Sequence, residues 1–229
     1  MNNNQSLDVG RALSFMFEEQ DWVMKLIITI VMLFLSFFIL PYFILQGYII
    51  DIIRRVGRNQ TPELPVWEDW GKYLSEGFMA AIALLVYALP MVLFVCCAVF
   101  PLAALGEAGG EEVAPLIVLI MCCLMVFAFI MQLGVYLIYY AGLVRYADTG
   151  NFSVFFQFGQ LWGFVRENLN NYGLALLITI GAGMIGGFVP ILGSVWAMLV
   201  SAHLFGQVLR STKDDFDFGS TMESPVSEF

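Results

Sequence analysis

The run Val113–Val144 reads VAPLIVLIMCCLMVFAFIMQLGVYLIYYAGLV, 32 residues without a Lys, Arg, Asp or Glu. A bilayer core about 30 Å thick needs about 20 consecutive apolar residues for one helical crossing. Three further runs share this character: Val23–Ile53, Gly77–Leu105 and Tyr172–Leu209. Lys25 and Asp51, near the ends of the first, are the only charges in them. Of the 229 residues, 60% are hydrophobic, too many for a soluble domain of this size. The sequence therefore describes an all-α membrane protein.

Charge narrows the function classes. The formal net charge is −9, and Asp214, Asp215, Asp217, Glu223 and Glu228 crowd the last sixteen residues. An acidic chain with scattered basic residues lacks the clustered positive face that nucleic acid requires. The residues before the first apolar run include Asp8, Glu18, Glu19 and Asp21, unlike the short basic start of a secretory signal. We expect one integral membrane domain over residues 1–210 and an acidic, disordered tail over 211–229.

Two of the runs are too long for one simple crossing. Tyr172–Leu209 would extend about 57 Å as a single helix, and Gly186-Gly-Phe-Val-Pro190 in its middle predicts a tight turn between two helices. Val23–Ile53 carries Pro41 near its centre without a neighbouring Gly, so a kinked helix and a hairpin both remain open. Three segments share a mixed polar and aromatic character before an apolar run: Gly10–Trp22, Val66–Leu74 and Phe155–Val165. This suggests a threefold plan of surface helix, helix, turn, helix.

The expected fold is a bundle of six spans in three hairpins, with five spans as the alternative and amphipathic surface helices on the inner side. Six spans place all ten Lys and Arg at the inner side, whereas five strand Arg11 and Lys25 outside.

Few residues carry a chemical signal. Arg54, Arg55 and Arg58 are candidate contacts for anionic lipid headgroups, or plain topology anchors. Gln46, Gln132 and His203 are candidate intramembrane polar residues, each a functional possibility by default. His203 is the chain's single histidine, and it is expected to bond a neighbouring helix rather than relay protons. Ala182, Gly183, Gly186 and Gly187 form a candidate helix-packing seam, within the chain or between copies in a homo-oligomer. Cys96-Cys97 and Cys122-Cys123 read as small buried helix residues, with a disulfide between the two helices as the alternative. No phosphate loop, HExxH or nucleophile elbow is present, so we expect no catalytic, metal or cofactor site.

The run Pro41…Gly47-Tyr48…Arg54-Arg55…Arg58 continues into Pro62-Glu-Leu-Pro65…Trp67-Glu-Asp-Trp70-Gly71…Gly77. Together with Arg145-Tyr-Ala147 and Ala202-His-Leu-Phe-Gly-Gln207, it resembles the membrane family catalogued as domain of unknown function 4013, across about residues 8–210. The resemblance implies a prokaryotic cytoplasmic membrane and brings no activity. The leading expectation is a non-enzymatic scaffold, assembly factor or accessory subunit. Its partners would be membrane lipids and a protein docked through the inner surface helices or the tail. The alternative is a permease or channel for a neutral or lipid-like solute.

Overall fold

A computed structural model describes residues 7–19, 21–108 and 110–222, with side chains absent from the description at 105–114 and 213–222. The described residues are helical and contain no strand. Among the described residues, nine α-helices run α1 (Val9–Ser14), α2 (Trp22–Leu35), α3 (Ile39–Gly57), α4 (Trp70–Phe94), α5 (Phe100–Ala108), α6 (Gly110–Thr149), α7 (Phe158–Glu167), α8 (Leu169–Gly186) and α9 (Pro190–Met222). The chain divides into two compact units, one of Met1–Ala81 with Tyr140–Phe229 and the other of Ile82–Tyr139.

Four stretches are long and apolar enough to cross a bilayer: Trp70–Ala104, Pro115–Thr149, Leu169–Gly186 and Pro190–Thr212. This is a membrane protein. α2 has only 14 residues, and α3 carries Asp51, Arg54 and Arg55 toward its end.

The first apolar run is two helices, not one kinked helix. The chain turns at Ser36–Phe38, where Ser36 Oγ donates to the Met32 carbonyl at 2.8 Å and Phe38 is extended at φ −87°, ψ 115°. Pro41 is therefore not the break. It lies in the first turn of α3, where its missing N–H costs no helical bond. The second turn falls where the sequence places it, with α8 ending at Gly186 and α9 beginning at Pro190. Its glycines serve a different purpose from the one expected. Gly187 is right-handed, while a Cβ on Gly186 would stand 2.4 Å from the Gly193 carbonyl oxygen. The requirement is close helix approach rather than backbone freedom.

The first unit is built on such approaches. Where α3 meets α4, a Cβ on Gly47 would fall 1.9 Å from the Tyr73 carbonyl oxygen, and one on Gly77 would fall 1.7 Å from that of Phe43. Where α3 meets α9, Gly206 faces Val56 and Gly57 faces Leu209, each at 2.5 Å from an added Cβ. Small residues let backbones meet without a hydrophobic drive from water. Around these crossings Tyr48, Ile50, Ile52, Tyr73, Tyr172 and Phe205 are fully buried.

The preambles to the three helix pairs differ. Val9–Phe17 is α1 plus a 3₁₀ turn, and Phe152–Glu167 is a 3₁₀ turn plus α7. The one before α4 is a loop up to Asp69. α7 is amphipathic as expected, with Leu161, Phe164 and Val165 buried and Phe158 and Trp162 about half exposed.

In the second unit, Phe94 meets Phe127 at 5.2 Å and Tyr87 meets Tyr139 at 5.9 Å, an antiparallel pairing of the flanking helices. Pro90 is carried inside α4. Val95–Val99 forms one π turn, closed by the Phe100 N–H on the Val95 carbonyl. The next residue, Pro101, has no N–H to continue the α pattern. The four cysteines are free and exposed, which corrects the expectation of burial. Helices that are apolar on every side leave these thiols facing outward. The boundary expected at Ser211 lies inside α9, whose backbone stays helical to Met222. The disorder expected of the tail falls, over 223–229, outside the described residues.

Candidate functional site

The polar residues of the first unit converge on the loop between α3 and α4, residues 58–69. Asn59 adopts the left-handed conformation that asparagine tolerates, at φ 51°, and turns the chain out of α3.

One cluster lies beside this loop at the end of α3. Asp51 is 2% exposed. Its Oδ1 accepts from Lys72 Nζ at 2.7 Å and Arg54 Nη1 at 3.0 Å, and its Oδ2 accepts from Arg55 Nε at 3.0 Å. Arg54 also grips both oxygens of Glu76, at 3.1 and 2.9 Å, and donates Nε to the Ala147 carbonyl at 2.9 Å. One planar guanidinium thus joins α3, α4 and α6, which Lys could not do with a point charge. Two carboxylates against three cations leave the cluster one charge positive.

A second cluster surrounds His203, 1% exposed on α9. Its Nε2 lies 2.9 Å from Glu63 Oε2, and its Nδ1 lies 3.1 Å from Gln207 Nε2. The Gln207 amide nitrogen also donates to the Asp8 carbonyl at 2.9 Å, while its oxygen accepts the Asp8 N–H at 2.7 Å. The amide's two N–H groups are therefore spent on Asp8 and Nδ1. That assigns Nδ1 as acceptor and gives the proton to Nε2, which donates to Glu63. Glu63 also pairs with Arg11, and Phe15 closes over the imidazole at 4.4 Å. Burial pushes the Glu63 carboxyl up. The His203 hydrogen bond and the guanidiniums of Arg11 and Arg210 outweigh it, holding the carboxyl below its ordinary range.

The loop backbone takes the remaining partners. Lys25, nearly buried, donates to the Leu64 carbonyl at 2.7 Å and pairs with Glu19, which in turn accepts the Leu64 N–H at 2.8 Å. Tyr73 donates to the Val66 carbonyl at 2.9 Å, and Arg210 donates to Asn59 Oδ1 at 3.0 Å. Trp67 stacks on Tyr48 at 4.0 Å and 9°. The loop so pins α1, α2, α3, α4 and α9 together.

The candidates from the sequence fare differently. Arg54 and Arg55 are engaged by protein acceptors, and Arg58, exposed, donates to the Asp148 carbonyl at 3.0 Å. His203 bonds Gln207 of its own helix and Glu63 of the loop rather than a neighbouring helix, and the acidic partner is one that the sequence reading did not supply. Gln46 is half-buried on α3. Gln132 lines an apolar cleft of about 390 Å³ in the second unit, with Met91, Val95, Val99, Met121 and Phe129. The small-residue seam splits. Ala182 and Gly186 are buried, Gly186 against Gly193, whereas Gly183 faces open space and Gly187 is exposed. Gly47 and Gly77, which make the tighter crossing, were quoted only for the resemblance. Their signal is the single Gly of each of the runs Val23–Ile53 and Gly77–Leu105.

The chain matches the family described as protein of unknown function (DUF4013) over residues 23–195, and it belongs to that family. No curated protein and no solved structure matches it.

Proposed function

We propose that this member of an uncharacterised family is a non-enzymatic scaffold or accessory subunit of a membrane complex. Its helices would thread as three hairpins, six membrane-embedded helices in all, with both termini and the loop 58–69 at the cytoplasmic face of a prokaryotic cell membrane. One observation carries the reading: Asp51, Arg54, Glu63, His203 and Gln207 bond one another, the neighbouring Arg11, Arg55, Lys72 and Glu76, and backbone. Groups so engaged hold a shape; a solute path needs groups left free to bind. The clustering of all ten basic residues beside these polar ends or before them supports the sidedness. The half-exposed Trp162 and Phe158 of α7, and the acidic end of the chain, offer docking surface to a protein partner.

Purification in mild detergent at native expression level tests this. The expected result is a stoichiometric partner that is lost when Ser211–Phe229 is deleted. A lone monomer or symmetric homo-oligomer overturns it. A second reading, passage or binding of a neutral or lipid-like solute, is favoured by the cleft that Gln132 lines. Liposome flux that disappears in Gln132→Leu would select that reading.

A further inference from the structure

The first unit carries a depth gauge. Gly206 on α9 is level with Val56 on α3, and Leu209 is level with Gly57. Both helices leave a hairpin turn and run toward these contacts, so they are parallel. Counting back at 1.5 Å per residue, Ile39 lies about 27 Å from Gly57 and Pro190 about 28 Å from Leu209. The two hairpin turns therefore end at the same height.

Two exposed cations mark where water begins. Lys72, its side chain 41% exposed, bonds Asp51. Arg11, 44% exposed, pairs with Glu63, whose other oxygen meets His203. By the same register Asp51 and His203 stand level. Charges this exposed require water or headgroups beside them. Above that level α3 offers only about 18 Å of helix to Ile39, and α9 about 20 Å to Pro190. α2 rises about 15 Å from Lys25 to Leu35. The hydrocarbon core is about 30 Å thick.

The turns themselves are built for hydrocarbon. Phe37 is 90% exposed and Phe188 88%, and no charged residue lies near either in sequence. The N–H groups of Gly187, Phe188 and Val189 donate to the carbonyls of Gly183, Ile185 and Gly186 at 3.0–3.2 Å. Pro190 has no N–H, and Ser36 and Phe38 donate to Leu33 and Leu35. Non-helical backbone at membrane depth demands such internal pairing.

We infer that the α2–α3 and α8–α9 hairpins are re-entrant: they enter and leave at one membrane face, and their phenylalanine tips end among lipid acyl chains without reaching the opposite surface. The ligand of this surface is the acyl region of the distal leaflet. The inference rests on the three-hairpin reading and narrows it, because an even count of membrane-embedded helices survives while two hairpins cease to be crossings.

The test uses the full chain with Cys96, Cys97, Cys122 and Cys123 replaced by Ala and a single Cys at Phe37→Cys or Phe188→Cys. Both sites are exposed on the protein surface, outside the packed core. Membrane-impermeant maleimide should fail to label either from either side. A nitroxide there should collide with oxygen far more than with a polar nickel chelate. Labelling from the side opposite the termini means full crossing and overturns the inference, as does labelling from the same side as the termini. The unaltered chain gives a second measure: a lipid with a diazirine at its acyl terminus should crosslink to residues 34–40, and a headgroup diazirine doing so instead would contradict it. Accessibility tags at residues 2 and 229 separate the layers, since opposite sides would break the three-hairpin reading whatever the tips report.

Discussion

The two units solve the same problem in opposite ways. The first buries its side chains where α3 and α9 meet at its centre. Sixty-seven per cent of the apolar window in Pro190–Thr212 is inside, against none in Pro115–Thr149. Its helices touch backbone to backbone at glycines and are tied by buried ion pairs. Helices of the second unit, Ile82–Tyr139, present Leu85, Leu93, Leu119 and Val126 outward, and the small cores at Ala83, Tyr87 and Tyr139 are aromatic or alanine contacts. The lesson is that hydropathy alone cannot separate the two. Lipid is as apolar as leucine, so the packed unit must be specified by absent side chains and by polar bonds, while the other can be written almost entirely in leucine, valine and methionine.

Substitutions that ignore composition and respect this difference should separate the units. Gly77→Leu pushes a side chain onto the Phe43 backbone and is expected to cost about 3 kcal/mol or more. Gly134→Leu in the second unit meets nothing within 4 Å and should leave folding unchanged. The yield of monodisperse protein in detergent reads the contrast, and equal behaviour would break it.

Next in size is Arg54→Ala. It leaves half-buried Glu76 without its partner, while Asp51 keeps Lys72 and Arg55, so the cost is expected at or below the lower end of the about 3–5 kcal/mol typical of breaking a buried pair. Arg54→Lys should recover only part, because one ammonium cannot grip both Glu76 oxygens and Ala147 together. Thermal unfolding in a mild detergent measures both. Gln132→Leu, its counterpart in the second unit, should be neutral in the same assay.

The Glu63 pair predicts a pH dependence of the first unit alone. A carboxyl held below its ordinary range stabilises the fold fully above that range, and the contribution is lost as pH falls through the lowered value. Glu63→Gln should flatten this acid limb and cost about 1 kcal/mol at neutral pH. An unchanged acid limb would mean that the His203 contact contributes nothing to holding the loop on α9. The smallest effect is expected from replacing the four exposed cysteines by Ala, within about 0.5 kcal/mol.

Much of this was legible in the chain. Uncharged runs gave the all-helical membrane class, and Gly186-Gly187…Pro190 located one turn. The loop 58–69 stood out through Pro62-Glu-Leu-Pro65 and Trp67. Its meaning did not, because Glu63 reaches His203 across 140 residues of sequence and Lys25 finds its acceptor on Leu64. No local pattern encodes such partners. Ser36–Phe38 escaped notice for a different reason: its turn uses a serine back-bond and an extended Phe38 in place of glycine. The register of α3 on α9 was equally hidden, since Gly57 and Gly206 gain their role only when the helices are side by side.

The central claim is that the chain threads as hairpins from one face, with its polar ends held together there. The most direct test places an accessibility tag at residue 2 and another at residue 229 of the full chain in intact cells. The account predicts that both report the cytoplasmic side. Tags on opposite sides would establish an odd number of crossings and contradict it.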